Sequence, residues 1–501
     1  MKTSNSYLIF ISLVSAMGGF LFGYDWVVIG GAKPFYEVYF GISNSLTAQG
    51  WAMGSAILGC LIGVMISGSL SDRFGRKSLM SVTALIFIVA AIGTGAANVF
   101  VLFIVFRILG GIGVGIASNL SPMYIAEVSP GNTRGKYVSI NQLTIVLGIL
   151  AAQTVNWLIA EPVAAGENIL DSWNGLFGWR WMFWAQIVPA GLFFILLFFI
   201  PESPRWLVVR AMRAGALRAT PLQKANNIFA RIGGKEYATK EIEQIKLSVT
   251  HTIRHCERGT SEAIPSQLTE DCFVPRNDGK IVKASPEGRF GGASFRDLFR
   301  GKTGKIIIIA IVIAVFQQWC GINVIFNYAQ EIFSAAGYGV SDILMNIVIT
   351  GIINVIFTFV GMYTVDKLGR RALLLFGAAG LFCIYAILGA CYYFHISGIA
   401  VLILVVAAIA CYAMTLAPVT WVVLSEIFPN RIRAMAMAVS TFALWTACFV
   451  LTYTFPLLNN AFGAYGTFWL YGIICIAGFI FIKKYLFETK GKTLEEIEKI
   501  V

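Results

Sequence analysis

Two short charged signatures interrupt an otherwise apolar chain, and they are copies of one another: Gly68-Ser-Leu-Ser-Asp-Arg-Phe-Gly-Arg-Lys77 and Gly361-Met-Tyr-Thr-Val-Asp-Lys-Leu-Gly-Arg-Arg371. Asp72, Gly75 and Arg76 recur as Asp366, Gly369 and Arg370. Further along each copy, Glu127, Pro130 and Arg134 recur with identical spacing as Glu426, Pro429 and Arg433. A chain that repeats a whole multi-helix unit is constrained to fold as two related halves.

The solvent for those halves is lipid. Hydrophobic residues make up 57% of the chain and charged residues only 13%, with a mean hydropathy of +0.75, which leaves too little polar surface for a water-soluble protein. About twelve runs are long and apolar enough to span about 30 Å of hydrocarbon. They fall at 8–31, 48–71, 78–97, 100–123, 136–160 and 181–200, then at 304–327, 343–365, 371–393, 398–424, 436–458 and 466–487. The expected fold is therefore an all-α membrane protein of twelve transmembrane helices in two six-helix bundles, 1–200 and 304–487. Internal repeats in such a chain are characteristic of secondary transporters, whose substrate site lies between the halves. The first run is too long for a cleavable signal and holds Asp25, so it is expected to stay as the first helix.

Lys and Arg concentrate in loops after even-numbered helices, in the middle segment and at both ends, while Lys33 and Arg180 stand almost alone on the other side. The termini and middle segment are therefore expected on the cytoplasmic face, and the net charge of +12 answers to lipid headgroups rather than to nucleic acid. Of the nine cysteines, Cys60, Cys320, Cys411 and Cys448 lie in apolar runs as small buried hydrophobes. His251, His255 and His395 form no cluster and no metal-ligand spacing occurs, so neither metal nor cofactor is expected. Nor does a nucleophile with its base, or a catalytic carboxylate pair, point to an enzyme.

The middle segment, 201–303, opens on Pro201-Glu-Ser-Pro-Arg-Trp-Leu207 and continues through a helix-like stretch at 221–248, which predicts a cytoplasmic helical linker. From 251 to 292, Gly, Pro, Ser and scattered charge without periodicity predict a disordered or surface insertion. The segment carrying Cys256 and Cys272 resembles a translated interspersed repeat; ordinary loop divergence is the other reading, and both stand. A short tail occupies 488–501.

Taken together, several motifs resemble the sugar porters of the major facilitator superfamily, most closely bacterial xylose:proton symporters and facilitative hexose carriers. They are Gly23-Tyr-Asp25, the two loop signatures, Pro122-Met-Tyr-Ile-Ala-Glu127, Arg134-Gly135, the 201–207 motif, Gln317-Gln318 with Gly321-Ile-Asn323, and Glu488-Thr-Lys-Gly491. Phe487 departs from the usual Pro, and Ala417 from the usual Gly of the motif ending at Trp421. The resemblance implies a monosaccharide substrate, a bacterial cytoplasmic (inner) membrane location, and contacts from Gln142, Gln317, Gln318, Asn323, Asn354, Trp421 and Trp445. Such residues suit a neutral sugar, because amides serve hydroxyls that donate and accept while aromatic faces cover C–H surfaces. Interhelical amide bonds alone are the competing account of these side chains. Gly321 is expected to break its helix and let Gln317 and Asn323 converge. The second amide that xylose symporters carry on the fifth helix aligns with Ile149, as in hexose carriers; Gln153, four residues on, offers a replacement. Asn327 stands where Tyr is usual and Leu444 where Asn or Gln is usual, leaving pentose and hexose both open.

The resemblance also implies proton coupling through Asp25 and its partner Arg107, since facilitative carriers place Asn at the aspartate position. Parting the pair would change the carboxylate's hold on a proton; a permanent structural ion pair is the alternative. Gln186 replaces a second acidic residue of xylose symporters. Asp72, Arg76, Glu127, Arg134, Asp366, Arg370, Glu426 and Arg433, at cytoplasmic helix ends, are expected to form a conformational latch of ion pairs between the halves in the outward-open state that breaks when the inner side opens; solvated charge that only sets orientation is the alternative. The expected function is proton-coupled monosaccharide symport by alternating access. A facilitative uniporter is the alternative within the fold, and a sugar sensor outside it, although only about 14 residues follow Phe487.

Deleting residues 251–292 and closing the gap with a short flexible linker is expected to leave uptake near normal, since loop length costs little. Lost uptake despite normal membrane insertion would show that the segment takes part in transport.

Overall fold

The computed structural model describes residues 5–130, 133–162, 168–213, 219–257, 273–275, 281–283, 301–428 and 433–488. The first half forms α1 (Asn5–Tyr39), α2 (Leu46–Phe74), α3 (Arg76–Ala96), α4 (Phe100–Val128), α5 (Arg134–Ile159) and α6 (Asn174–Leu197). Between the halves lie α7 (Pro204–Arg213), α8 (Ala219–Gly233), α9 (Lys235–Glu257) and a pair of short strands, β1 (Phe273–Pro275) and β2 (Ile281–Lys283). The second half forms α10 (Gly301–Trp319), α11 (Ile322–Asn327), α12 (Ala329–Ala335), α13 (Val340–Leu368), α14 (Arg370–Tyr393), α15 (Ile399–Met414), α16 (Leu416–Glu426) and α17 (Arg433–Tyr485).

Eleven stretches are long and apolar enough to cross a bilayer, and the last of them breaks at Gly463 (φ 66°, ψ 176°) into two crossings. That gives twelve crossings, six in each half, in an integral multi-pass membrane protein. Exposed Val101, Val188, Phe198 and Ile399 belong to the apolar outer surface that lipid must cover. An even number of crossings puts both chain ends and the middle segment on one face, here the terminal face; the opposite one is the distal face.

The apolar runs predicted from sequence match these helices within a few residues, apart from α6, which starts seven residues before the predicted 181, and α1. Lys33 and Glu37 end the apolar run at 31, yet α1 continues to Tyr39 because both charges find partners inside the protein. In the middle segment, helix persists through Glu257 where the sequence pointed to loop from 251, and Phe273–Pro275 pairs antiparallel with Ile281–Lys283. The remainder of 251–292 and the tail beyond Glu488 lie outside the described residues.

Within the first half α2 packs along α4 and α1 along α5; within the second α17 packs on α10 and α14. Between halves, α2 meets the first crossing of α17 and α5 meets α13. These seams are equivalent, since each joins the second helix of one half to the fifth of the other. Their close contacts lie towards the distal face: Trp51 against Phe449 and Tyr453, and Gln153 with Leu150 against Gly351. There α1 also packs at Gly30 against the backbone of Phe326 and Asn327.

Candidate functional site

The seventh crossing breaks where Gly321 takes a left-handed conformation (φ 87°), separating α10 from α11. That backbone favours glycine, and an added Cβ would crowd the Tyr471 ring at 2.7 Å. The break brings together the amides the sequence singled out. Gln317 donates to the Tyr412 hydroxyl at 2.6 Å, Gln318 donates to the Gln317 oxygen at 2.7 Å, and Asn323 donates to the Gln318 oxygen. Asn323 also reaches Cys448 Sγ at 3.6 Å. Tyr412 was not foreseen; a Tyr within an apolar run carries no mark that distinguishes it from the chain's other tyrosines.

One turn from Cys448, Trp445 lies buried against Trp26 and Phe22 of α1, with ring centroids 5.6 and 5.9 Å apart. This aromatic contact joins the halves beside the amide chain. Asn354 is buried on α13, Gln142 half-buried on α5, and Trp421 partly exposed on α16. No direct bond links these three to the amide chain among the described residues.

Asp25 and Arg107 meet as expected, Oδ1 to Nη1 at 3.2 Å, both nearly inaccessible at 4% and 2% exposure. The guanidinium also reaches the Asp25 carbonyl at 3.4 to 3.5 Å and lies over the Phe183 ring. Asp25 Oδ2 and Arg107 Nε remain without protein partners. The pair is therefore half-satisfied, an arrangement in which a buried carboxylate is costly to hold. Gln186 is buried as well, and its Nε2 has no partner.

In this arrangement the charges expected to latch the halves pair within each half. Arg76 binds Asp72 at 3.0 Å and Glu127 at 2.9 Å, while Ser203 donates to Glu127. In the second half Arg370 binds Glu426 at 3.0 Å. Gly75 and Gly369 adopt the same positive-φ turn (94° and 89°) before α3 and α14. Sequence reasoning missed two further members of these clusters. Glu202 accepts from the backbone N–H of Arg76 and Lys77 at 2.9 and 3.0 Å, and Glu488 from those of Arg370 and Arg371 at 2.9 and 3.0 Å. Each carboxylate satisfies orphan donors at a helix N-terminus and complements its dipole. The pairing stays within halves because the close contacts between halves lie away from the terminal face. Arg134 is half-buried at the start of α5; the side chains of Asp366 and Arg433 lie outside the described residues.

The two cations that stood alone on the distal side have definite partners. Arg180 donates to the Gly95 and Ala97 carbonyls at 2.6 and 3.0 Å, closing the end of α3. Lys33, 2% exposed, lies 3.3 Å from Glu37 one turn on, pairs with Glu331 of α12, and covers the Tyr328 ring. With Glu331 it forms an ion pair between the halves. A vestibule of about 310 Å³, bounded by Gln49, Glu331, Asn459 and Asn460, opens beyond it. No three His, Cys, Asp or Glu side chains come together as a metal site among the described residues.

A family model described as sugar (and other) transporter matches residues 11–501. The chain belongs to that family. It is 34% identical to the D-xylose-proton symporter of Escherichia coli K12 over 99% of this chain and 96% of that protein. It is 33% identical to the arabinose-proton symporter of Bacillus subtilis, again over 99% and 96%. Among solved structures it matches the inward open conformation of the xylose transporter XylE from E. coli with a TM-score of 0.78 and 34% identity, covering 99% of this chain and all of that one. A twelve-helix major facilitator fold follows.

The distal ion pair generates a direct expectation. Glu331→Gln leaves Lys33 with Glu37 but removes the bond across the seam, so it is expected to disfavour the distal-closed arrangement by about 1–2 kcal/mol, roughly five- to thirty-fold in population. Gln49→Cys, probed from the distal side with a membrane-impermeant maleimide, should label faster when Glu331→Gln is added. Equal rates would show that the pair does not hold the seam.

Proposed function

We propose that this protein carries a monosaccharide, xylose or a glucose-like hexose, inward across a bacterial cytoplasmic membrane together with a proton, by alternating access. The observation that carries the coupling is the buried Asp25–Arg107 pair, which joins α1 to α4 with one carboxylate oxygen unpartnered. A shift of α1 against α4 within the first half that parts Arg107 from Asp25 would alter what the carboxylate gains from its cation and so its hold on a proton. The proton and the sugar both act on α1, since Trp26 beside Asp25 touches Trp445 of the other half. The proton-coupled relatives support this reading. Gln186, in place of a second acid, is the observation that favours a uniporter, which remains the reading to be tested against.

In the proposed site the amide chain of Gln317, Gln318 and Asn323 exchanges its internal bonds for sugar hydroxyls, with Gln142 and Asn354 facing it from the other elements and Trp421 and Trp445 offering aromatic surface. The excess of Lys and Arg at the terminal face supports a cytoplasmic placement of both ends and the linker. The mirrored clusters around Arg76 and Arg370 would come together when that face closes, with Arg134, Asp366 and Arg433 beside them.

Gln317→Ala or Asn323→Ala is expected to weaken sugar binding at least about fivefold, because each leaves a hydroxyl and a protein partner unbonded in a dry site. Unchanged affinity of purified variants would assign these amides to helix packing. Asp25→Asn mimics the protonated acid, so sugar exchange should persist while accumulation driven by an inward proton gradient is lost. Paired proteoliposome assays decide this: a wild type that ignores the gradient, or a variant that still accumulates sugar, would leave a uniporter in place of the symporter.

A further inference from the structure

Gln153 is the amide that the proposed site does not yet use. It is 2% exposed on α5, and neither its Nε2 nor its Oε1 has a hydrogen-bond partner in the protein. A buried carboxamide with both ends unpaired is costly and calls for a partner outside the protein, a ligand being one that would answer both ends. Its surroundings explain why it fits. Gly351 of α13 faces it across the seam, and a Cβ at that position would collide with Gln153 Oε1. The glycine leaves the room that the amide fills.

Register on α5 sets what Gln153 can reach. Ile149 and Gln153 follow Gln142 by seven and eleven residues, which puts all three within about 20° of one face, at about 10 and 16 Å along the axis. The two helices of this seam run in opposite directions, because α5 rises towards the distal face and α13 descends from it. Asn354, one turn below Gly351 and buried, therefore lies nearer the level of Ile149 than of Gln153. The order along the seam is an amide on α13 opposite an apolar side chain on α5, with a second, unsatisfied amide one turn further out.

A hexopyranose differs from a pentopyranose by an exocyclic CH2OH, an apolar carbon that ends in a hydroxyl. We infer that Gln153 is a specificity-determining residue that hydrogen-bonds the exocyclic hydroxyl of a hexose, whose CH2 packs on Ile149. Gln153 then makes hexose, not pentose, the better substrate. This rests on the sugar-transport reading and adds to it the choice of substrate.

The test is a cycle between protein and ligand, with D-glucose, 6-deoxy-D-glucose and D-xylose titrated by calorimetry into purified full-length protein. Wild type is expected to bind D-glucose about five- to tenfold more tightly than 6-deoxy-D-glucose, the effect of one neutral hydrogen bond. In Gln153→Leu the two should bind alike, within twofold of the wild-type affinity for 6-deoxy-D-glucose. Gln153→Met, unbranched and equally unable to bond, checks the same outcome should the leucine variant fold poorly. A purely structural Gln153 would weaken all three sugars together and leave the glucose to 6-deoxyglucose ratio intact, which overturns the inference, as does a wild type indifferent to the 6-hydroxyl. A wild type that binds no monosaccharide at all would instead overturn the sugar-transport reading itself.

Discussion

A charge inside a bilayer has to find its partner within the protein, and α1 carries three of them, Asp25, Lys33 and Glu37. Their partners differ in one decisive way. Asp25 is held by Arg107 of its own half, whereas Lys33 is shared between Glu37 on its own helix and Glu331 on the other half. The first pair fixes α1 to α4. The second fixes it to α12 only while the distal seam is closed. Losing one member of a buried pair is normally severe, because a lone charge is left behind. Here Glu37 stays with Lys33 when Glu331 departs, and Glu331, already partly exposed, moves towards water. The arrangement lowers the cost of separation without removing the bond that holds the closed state.

The terminal face is built on the opposite plan. Arg76 gathers Asp72 and Glu127 while Glu202 covers the start of α3, and Arg370 gathers Glu426 while Glu488 covers the start of α14. None of these bonds crosses from one half to the other. Each half is thereby stiffened at the end where its helices would otherwise splay, so motion is directed to the seams. The seams themselves suit sliding contact: glycines such as Gly50, Gly54 and Gly351 meet aromatic or amide side chains, and packing rather than interlocked charge joins them.

Much of this was legible in the chain, for reasons that can be named. The repeated Asp72-x-x-Gly75-Arg76 signature survives because a positive-φ turn needs glycine and because its arginine pairs locally, so both the two-half fold and the positions of Arg76 and Arg370 could be read. Asp25 with Arg107 was legible because charges in apolar runs are few. Gly321 was legible because it sits among amides in an otherwise regular helix. What escaped depends on contacts between distant segments. Nothing near Lys33 in sequence points to Glu331, and its charge shortened the predicted first helix instead. Glu202 and Glu488 lie in flanking motifs that differ in every neighbouring residue, which hid their shared capping of α3 and α14. Spacing reveals that the charges of Arg76 and Arg370 repeat, but not that each set also closes on itself within its own half.

The chemistry of the central site follows from the same economy of charge. A neutral ligand gives an ionic side chain no counter-charge, so a charged site would remain uncompensated on half of every cycle. Amides avoid this. In the Tyr412–Gln317–Gln318–Asn323 chain the Gln317 and Gln318 side chains each accept one bond and donate another, so the middle of the chain is satisfied within the protein. If this is the sugar site, as proposed, the hydroxyls would enter by exchanging partners with no charge exposed at any stage and leave by the reverse exchange. Net affinity is then the small difference between two satisfied networks, of about the 1 kcal/mol per bond typical of neutral hydrogen bonds. That modest difference is what a carrier needs, since a ligand held much more tightly in either open state would not be released on the other side.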